Sequence, residues 1–296
     1  MLLIQGIKNN KDTIVNIVGS FWIKGLSMVV GLVTVSAYMQ YFSDQVLLGV
    51  WFTMLSVLHW ILTFDVGIGN GLRNHLVRTL VARNHIATKR YISSAYIMVG
   101  AILLPASIII IVLIGKMDLN AFFQVSSGLI SSKNLIVAVR ISYAGIALQL
   151  YLKIVVSILY SLQRTALANS LALLTNILIL LFVHYSLQKA PTSDMVLLST
   201  VYALAVNVPL LLATIYVFKS SLKISRPNYK YFVLSYAKEI ISIGYKFFAI
   251  QIALLIINLT NEIMIARLFS PEFVVEYQVY NKIFVLFLTV FSILTI

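Results

Sequence analysis

Cysteine is absent from this chain, and charged side chains are scarce. Without cysteine, the chain can form no disulfide and no thiolate metal site. Only 10% of the 296 residues are charged and only nine are acidic, too few to cover the surface of a water-soluble domain of this length. Hydrophobic residues fill 60% of the sequence instead, and the mean hydropathy is +0.97. The composition therefore predicts an integral membrane protein.

Long apolar runs dominate the pattern along the chain. A helix needs roughly 18 or more apolar residues to cross about 30 Å of hydrocarbon. The runs are continuous blocks of Leu, Ile, Val and Ala rather than the two-residue alternation of a membrane β-barrel, so we expect helices. The predicted class is an all-α, polytopic membrane protein with eight transmembrane helices, at 15–39, 46–68, 91–115, 135–160, 170–188, 195–217, 242–266 and 276–296.

Basic residues are distributed unequally between the two sides of these spans. Thirteen Lys and Arg lie in the N-terminal segment and in the loops near 80, 165 and 230, against four in the intervening loops. This asymmetry is the positive-inside pattern and predicts a cytoplasmic N-terminus. The net charge of +13 therefore reflects mostly topology, and we expect no nucleic-acid partner.

A basic segment after the sixth span divides the chain. A weak internal repeat supports this division, because YFSDQVLLGVW at 41–51 aligns with LFSPEFVVEYQ at 268–278. Many transporters consist of two repeats about a midplane site. A second lobe with two helices would be unfinished, so we expect the chain to stop where a cytoplasmic loop should begin. The predicted organisation is a cytoplasmic N-terminal segment (1–14), a six-helix N-lobe (15–217), a cytoplasmic basic linker (218–241) and the start of a C-lobe (242–296).

Four motifs, in order, carry a resemblance to a known family. They are FDVGIGNGLRN after the second span, YSLQRTALANS after the fourth, IGYKFFAIQIA in the seventh and VVEYQVYNKIF in the eighth. Together they resemble the polysaccharide flippases of the multidrug/oligosaccharidyl-lipid/polysaccharide exporter superfamily, especially the Wzx-type O-antigen repeat-unit flippases. The resemblance implies two six-helix lobes with about 12 to 14 helices. It also implies movement of an undecaprenyl-pyrophosphate-linked oligosaccharide from the inner to the outer leaflet.

Under this resemblance the chain is expected to be a transporter rather than an enzyme, without cofactor or metal, in the bacterial cytoplasmic (inner) membrane. Its role would be in surface polysaccharide and lipopolysaccharide assembly. Expected partners are the lipid-linked oligosaccharide, membrane lipids and other polysaccharide-assembly membrane proteins. Two alternatives stay open: a multidrug/cation antiporter of the same superfamily and a non-functional truncated remnant. A membrane glycosyltransferase or polymerase is disfavoured, because the outer hairpins carry almost no acidic or basic groups for catalysis.

Charged residues inside the spans are the candidate substrate site. A lysine at the centre of a span costs roughly 2.5 to 3.5 kcal/mol on insertion scales, so it should face protein or water. Lys24 shares one helix face with Ser20, Ser27, Gly31 and Thr34, which predicts a cavity lining, although tight packing on small residues is a competing interpretation. The spans hold more basic than acidic residues, which suits an anionic cargo; the basic ones are Lys24, Arg140, Lys153, Lys246 and Lys282.

The fourth span carries a second polar face, with Gln149, Lys153, Ser157 and Tyr160 at helical intervals. Arg140 is predicted to point elsewhere. Because both cations are within snorkelling reach of an interface, an anchoring role is as good an explanation as cavity lining.

The two acidic residues in the spans are candidates for pairing or ion coupling. Asp65 lies about four residues inside the inner end of the second span, and we expect it to cap or pair, with ion coupling as the alternative. Glu262 and Lys282 fall at similar depth on antiparallel helices. We expect them to pair, since each would otherwise be an uncompensated charge in the bilayer.

The glycine-rich stretch Gly67-x-Gly69-x-Gly71 lacks the preceding strand and following acidic residue of a dinucleotide site. Glycine permits positive φ, so we expect the second span to end sharply and the basic segment 72–90 to turn along the membrane face. Headgroup-level candidates for attracting a pyrophosphate are then Asn70, Arg73 and Arg78. The competing interpretation is that the arginines only fix topology.

Overall fold

The structure is a computed structural model that describes residues 2–63, 67–189 and 194–294. Every regular element in these ranges is a helix, which confirms the predicted all-α class. A short 3-10 turn at Tyr229–Tyr231 interrupts the basic segment. The α-helices of the described ranges are α1 (Leu2–Tyr41), α2 (Gln45–Thr63), α3 (Ile68–Val81), α4 (His85–Ile114), α5 (Leu119–Phe123), α6 (Ser132–Leu152), α7 (Ile154–Ser161), α8 (Thr165–Lys189), α9 (Met195–Lys219), α10 (Leu234–Leu259), α11 (Asn261–Leu268) and α12 (Pro271–Leu294).

Six stretches of the described chain are long and apolar enough to cross a membrane, as expected of a membrane protein. They correspond to the first six predicted spans. The fourth stretch consists of two helices, α6 and α7, which meet at Lys153. The predicted spans at 242–266 and 276–296 fall in α10 to α12, where many side chains lie outside the described part of the chain. The six stretches are Val18–Tyr41, Gln45–Leu62, His85–Ile114, Ser132–Ser161, Thr165–Leu187 and Met195–Lys219.

The buried core forms two clusters at opposite ends of the helix bundle. Helix α9 contributes to both, with Leu198 in the first cluster and Val217 in the second. The first cluster contains Trp51, whose ring centroid lies 5.7 Å from that of Tyr38 and 5.9 Å from that of Tyr202. The apolar faces of α2, α6, α8 and α9 therefore pack together at one end, and those of α3, α4, α7 and α10 at the other.

The glycine-rich stretch brings α3 against α10. Gly67 has a φ of 64°, the positive value expected there, and it precedes a helix, α3, where the sequence predicted only a turning segment. A Cβ atom at Gly67 would lie 2.1 Å from the carbonyl oxygen of Gly244, and one at Gly71 would lie 2.1 Å from that of Ile240. The close approach of the α10 backbone therefore requires glycine at both positions, and the positive φ is a second requirement at Gly67.

The two hairpins of the internal repeat have matching boundaries. Helix α1 ends at Tyr41 and α11 ends at Leu268, which reproduces the 227-residue offset (268 minus 41). The following helices begin at Gln45 and Pro271, within one residue of the same offset. The hairpins also touch, since a Cβ at Gly49 would lie 1.9 Å from the carbonyl oxygen of Pro271. Helix α12 consequently packs alongside α2.

Candidate functional site

Two adjoining cavities lie at the centre of the bundle. One, of about 500 Å³, is bordered by α1, α2, α6, α8, α9, α11 and α12, and the other, of about 440 Å³, by α1, α8 and α12. They form one continuous space, called the central cleft below, because they share lining residues; these are Gly31, Ala172, Asn176, Lys282 and Val285.

The polar face of α1 borders this cleft. Four residues of this face line the cleft along the helix: Lys24, Ser27, Gly31 and Thr34. Ser20 lies outside it, and its hydroxyl donates to Thr165 Oγ1 at 2.9 Å. The opposite face of α1 is apolar and exposed, for example at the Trp22 side chain, which is 78% exposed. The helix therefore separates a polar interior from a surface suited to lipid.

Helix α8 holds α1 in this orientation through an amide. Asn176 Nδ2 donates to the carbonyl oxygen of Ser27 at 3.3 Å and to its hydroxyl at 3.1 Å. Asn176 also lines both parts of the cleft. Interhelical hydrogen bonds of this kind stabilise packing where the hydrophobic effect between helices is weak.

A buried carboxylate lies at the α11–α12 side of the cleft. Glu262 is 5% exposed, and one of its oxygens, Oε1, accepts a hydrogen bond from Gln278 Nε2. The other oxygen, Oε2, is buried and makes no hydrogen bond to the described residues. The Ser56 hydroxyl is a nearby donor that interacts with this carboxylate, and a buried acceptor without a well-formed hydrogen bond is costly.

The predicted Glu262–Lys282 ion pair is wrong. Within the described ranges, the ion pair closer than 4.0 Å is His75–Glu239. Glu262 instead bonds Gln278, one helical turn before Lys282 on α12. A neutral amide can satisfy a carboxylate oxygen without burying a second charge, which avoids a desolvation cost. Lys282 is left exposed and borders the cleft together with Lys24.

Among the other charged residues predicted to lie inside the spans, the structure places Arg140 away from the cleft. Arg140 does not line the central cleft; its Nε donates to the carbonyl oxygen of Ile111 at 3.1 Å, and its guanidinium lies against Gly115. It therefore ties α6 to the end of α4. The Lys246 side chain and Asp65 lie outside the described part of the chain, so the structure does not place them.

The predicted polar face of the fourth span is divided between two cavities. Gln149 lines the central cleft, whereas Lys153, Ser157 and Tyr160 line a separate cavity of about 260 Å³, called the inner pocket below. The change from one cavity to the other falls at Lys153, where α6 ends and α7 begins. The predicted polar face therefore borders both cavities along its length.

The headgroup-level candidates of α3 also separate. Asn70 and Arg73 line the inner pocket with Lys153. Arg78 lies on the same helix, is exposed and does not border that pocket. Arg73 and Arg78 are both exposed, and they differ in that Arg73 borders the inner pocket.

Sequence reasoning missed several cleft residues. Asn281 of α12, like His59 and Asn176, lines the cleft but was not singled out. Asn281 and Lys282 follow Gln278 by three and four residues. This helical spacing could have revealed one polar face. Asn169 and Asn176 of α8 both line the cleft, and their seven-residue spacing places them on one helix face.

A cluster that joins α3, α4 and α10, called the inner latch below, was also missed. The Tyr91 hydroxyl donates to Glu239 Oε2, and the His75 ring stacks on the Tyr91 ring with centroids 4.8 Å apart. His75 Nδ1 lies 3.9 Å from Glu239 Oε2, and the Tyr236 ring packs edge-on against Tyr91 at 4.4 Å. These four residues come from three separate segments, so no local motif marks them.

Comparison with family models, with curated proteins and with solved structures finds no match to this chain. Its function is therefore inferred from the residues of the cleft and from the resemblance of its motifs.

Proposed function

We propose that the protein is a flippase that moves an undecaprenyl-pyrophosphate-linked oligosaccharide across the bacterial cytoplasmic membrane for surface polysaccharide or O-antigen assembly. The observation that carries this proposal is a polar cleft among apolar helices with Lys24 and Lys282 on its border. In this proposal residues 15–217 form a six-helix N-lobe with the N-terminus in the cytoplasm. Helices α10 to α12 begin a second lobe, bringing the total to eight spans.

The two lysines suit a pyrophosphate. Each presents a compact cation with three N–H donors, and phosphate oxygens are strong acceptors for such donors. A pair of opposite unit charges about 4 Å apart attracts by roughly 4 kcal/mol at an effective dielectric constant near 20. The amides and hydroxyls that line the rest of the cleft, such as Asn176, Gln278 and Ser56, offer hydrogen bonds to sugar hydroxyls.

The packing of α1 suits the lipid tail of such a cargo. Helix α1 packs mainly along α8 and makes far fewer contacts with α2 and α12. The cleft therefore borders a lightly packed seam between α1 and α12. A polyprenyl chain in that seam would remain in the hydrocarbon layer while the pyrophosphate and sugars occupy the polar cleft.

A transport assay with the purified chain tests the proposal. The chain is reconstituted in liposomes with a fluorescent polyprenyl-pyrophosphate oligosaccharide, and translocation is followed by quenching from one side. Lys24→Ala removes one of the two cations that border the cleft. Because a hydrogen bond to a charged group is worth about 1.5 to 3 kcal/mol, we expect transport to fall by at least about tenfold.

The matched control is Lys223→Ala, which removes an exposed lysine that lines neither the central cleft nor the inner pocket. We expect it to transport like the unmodified chain. Equal transport by the Lys24→Ala and Lys223→Ala variants, or no translocation by the unmodified chain, would contradict the proposal.

Glu262 favours a second candidate function, a multidrug/cation antiporter. Its Oε2 atom is buried at the cleft without a hydrogen bond to the described residues, and a buried carboxylate in a membrane cavity is a common binding group for protons and cations. Expression in cells that lack their own drug exporters separates the two candidates. Resistance to cationic dyes that is lost on Glu262→Gln, without oligosaccharide translocation, would favour the antiporter.

A further inference from the structure

The inner pocket has a composition that the proposed cargo does not require. It lies between the start of α3, the middle of α4 and the α6–α7 junction, and its volume is about 260 Å³. Its lining, taken from the described residues, contains two cations, Arg73 and Lys153, and no carboxylate. Two cations from different helices that share a small cavity repel each other unless an anion lies between them.

Arg73 is held in place by the neighbouring helices. Its guanidinium carbon lies 5.2 Å from the centroid of the Tyr160 ring, a cation–π contact. Tyr160 is fixed in turn, since its hydroxyl donates to Asn169 Oδ1 at 3.0 Å. The Ser161 hydroxyl donates to the carbonyl oxygen of Ser157 at 2.8 Å and also lies 3.4 Å from the carbonyl oxygen of Arg73, where α7 packs against α3. Arg73 is exposed overall, and the Tyr160 ring is the contact that holds its guanidinium beside the pocket.

The remaining wall of the pocket is apolar and reaches the outside of the bundle. Val99 and Leu103 of α4 and Leu150 of α6 line it, together with Ile102, whose side chain is 50% exposed. The polar lining is completed by Asn70 and Ser157, which offer neutral hydrogen-bond groups beside the cations. A ligand that fits this arrangement carries an anionic group at one end and a hydrocarbon chain at the other.

We propose that the inner pocket binds the phosphate group of an anionic lipid, with Arg73 and Lys153 as its cationic ligands and the α4 wall against an acyl chain. Under the positive-inside topology the pocket faces the inner leaflet, because α3 belongs to the basic cytoplasmic segment. The site is separate from the central cleft, since the two share no lining residue. The inference is independent of which cargo the cleft carries.

Thermal stability in nanodiscs tests this site. The full chain is placed in nanodiscs of phosphatidylcholine alone, or in nanodiscs with graded phosphatidylglycerol, and the lipid dependence of the melting temperature gives an apparent affinity. A third arm adds inorganic pyrophosphate to the phosphatidylcholine nanodiscs. Ligands that bind only the folded protein raise its melting temperature by an amount that grows with the logarithm of ligand concentration over Kd. An effect in the phosphatidylglycerol arm identifies a lipid headgroup, and one in the pyrophosphate arm identifies a free phosphate.

The variants Arg73→Gln and Lys153→Met keep side-chain size and remove the charge. We expect each to weaken the apparent affinity for phosphatidylglycerol by about tenfold. Arg78→Gln is the matched control, because Arg78 lies on the same helix and is exposed outside the pocket; we expect it to retain the affinity of the unmodified chain.

Two results overturn the proposal. One is an equal loss of affinity in all three variants, which would mean that the lipid responds to surface charge rather than to a site. The other is no stabilisation of the unmodified chain by phosphatidylglycerol or by pyrophosphate. Lys153→Arg tests whether a loss of affinity in Lys153→Met comes from misfolding. This variant keeps the charge and is expected to keep most of the affinity.

Discussion

At the scale of single residues, this chain treats its interior charges in different ways. The Arg140 guanidinium donates a hydrogen bond to the backbone carbonyl of Ile111 and so helps pack α6 against α4. One carboxylate oxygen of Glu262 accepts a hydrogen bond from Gln278. The other is buried and has no hydrogen bond to the described residues. Lys24 and Lys282 face open space in the cleft. A charge with a cavity beside it has room to bind a ligand, and among these residues that condition is met at Lys24 and Lys282.

The inner latch gives a test at this scale. Tyr91→Phe removes the hydroxyl that donates to Glu239, while the stacking of the ring on His75 is preserved. Loss of a hydrogen bond to a charged group should lower the free energy of unfolding by about 1.5 to 3 kcal/mol. Denaturant unfolding in detergent micelles measures the difference.

The control for the latch is Tyr229→Phe. The Tyr229 side chain is 75% exposed, so removing its hydroxyl breaks little buried contact. It should change stability by less than about 0.5 kcal/mol. If Tyr91→Phe were as neutral as Tyr229→Phe, the hydroxyl–carboxylate contact would not be a stabilising feature of the α4–α10 junction.

At the scale of helices, small residues decide where backbones approach closely. The carbonyl oxygens of Gly244 and Ile240 on α10 face Gly67 and Gly71 on α3. In the same way Gly145 on α6 faces Ala203 on α9, where an added Cβ would lie 2.6 Å from the Ala203 Cβ. Packing on small residues replaces the hydrophobic effect as the attraction between helices in a bilayer.

A pair of glycine variants tests the α3–α10 contact. In Gly71→Ala, the new methyl group would lie 2.1 Å from the carbonyl oxygen of Ile240, so the helices must separate. Overpacking of this kind typically costs about 1 to 3 kcal/mol, and the melting temperature in detergent should fall accordingly.

Gly25→Ala is the matched control, because no atom lies within 4 Å of the Cβ it would add. There the methyl group should be neutral or stabilising, by up to about 1 kcal/mol, since alanine favours a helix over glycine. Equal melting temperatures for the two variants would show that α10 is not packed on Gly71.

The sequence predicts the helices better than it predicts their partners. The first six spans follow from hydropathy alone, because lipid imposes length and apolarity on each helix independently. The helix α3 escaped prediction, since its glycines and arginines read as a turn although tertiary packing on α10 supports a helix. The break between α6 and α7 at Lys153 likewise has no proline or glycine to announce it.

At the scale of the whole molecule, the cleft was predictable where its lining residues share the face of one helix. The face that carries Lys24 and Thr34 could be read from helical periodicity, because all its members lie on one helix. The position of Glu262 beside Gln278 rather than Lys282 depends on the register between α11 and α12, and a one-turn difference changes the partner. Contacts between distant segments, such as Tyr91 with Glu239, carry no local signal.

The proposed function requires the cleft to be a water-filled space among the helices. The native chain has no cysteine, so single cysteines can be introduced without background reactivity. Thr34 lines the cleft, while its neighbour Val33, at nearly the same depth, is 48% exposed on the outer surface of α1 and borders none of the cleft. The pair Thr34→Cys and Val33→Cys therefore separates a wet interior from a lipid-facing surface.

The most direct measurement is the rate at which a charged, membrane-impermeant thiol reagent modifies these two variants in proteoliposomes. Charged reagents react in water and are excluded from hydrocarbon. We predict that Thr34→Cys reacts at least about tenfold faster than Val33→Cys, and that a polyprenyl-pyrophosphate oligosaccharide slows its reaction. Equal rates for the two variants, or a Thr34→Cys variant that does not react, would contradict the central claim that the lysine-bordered cleft is a polar passage.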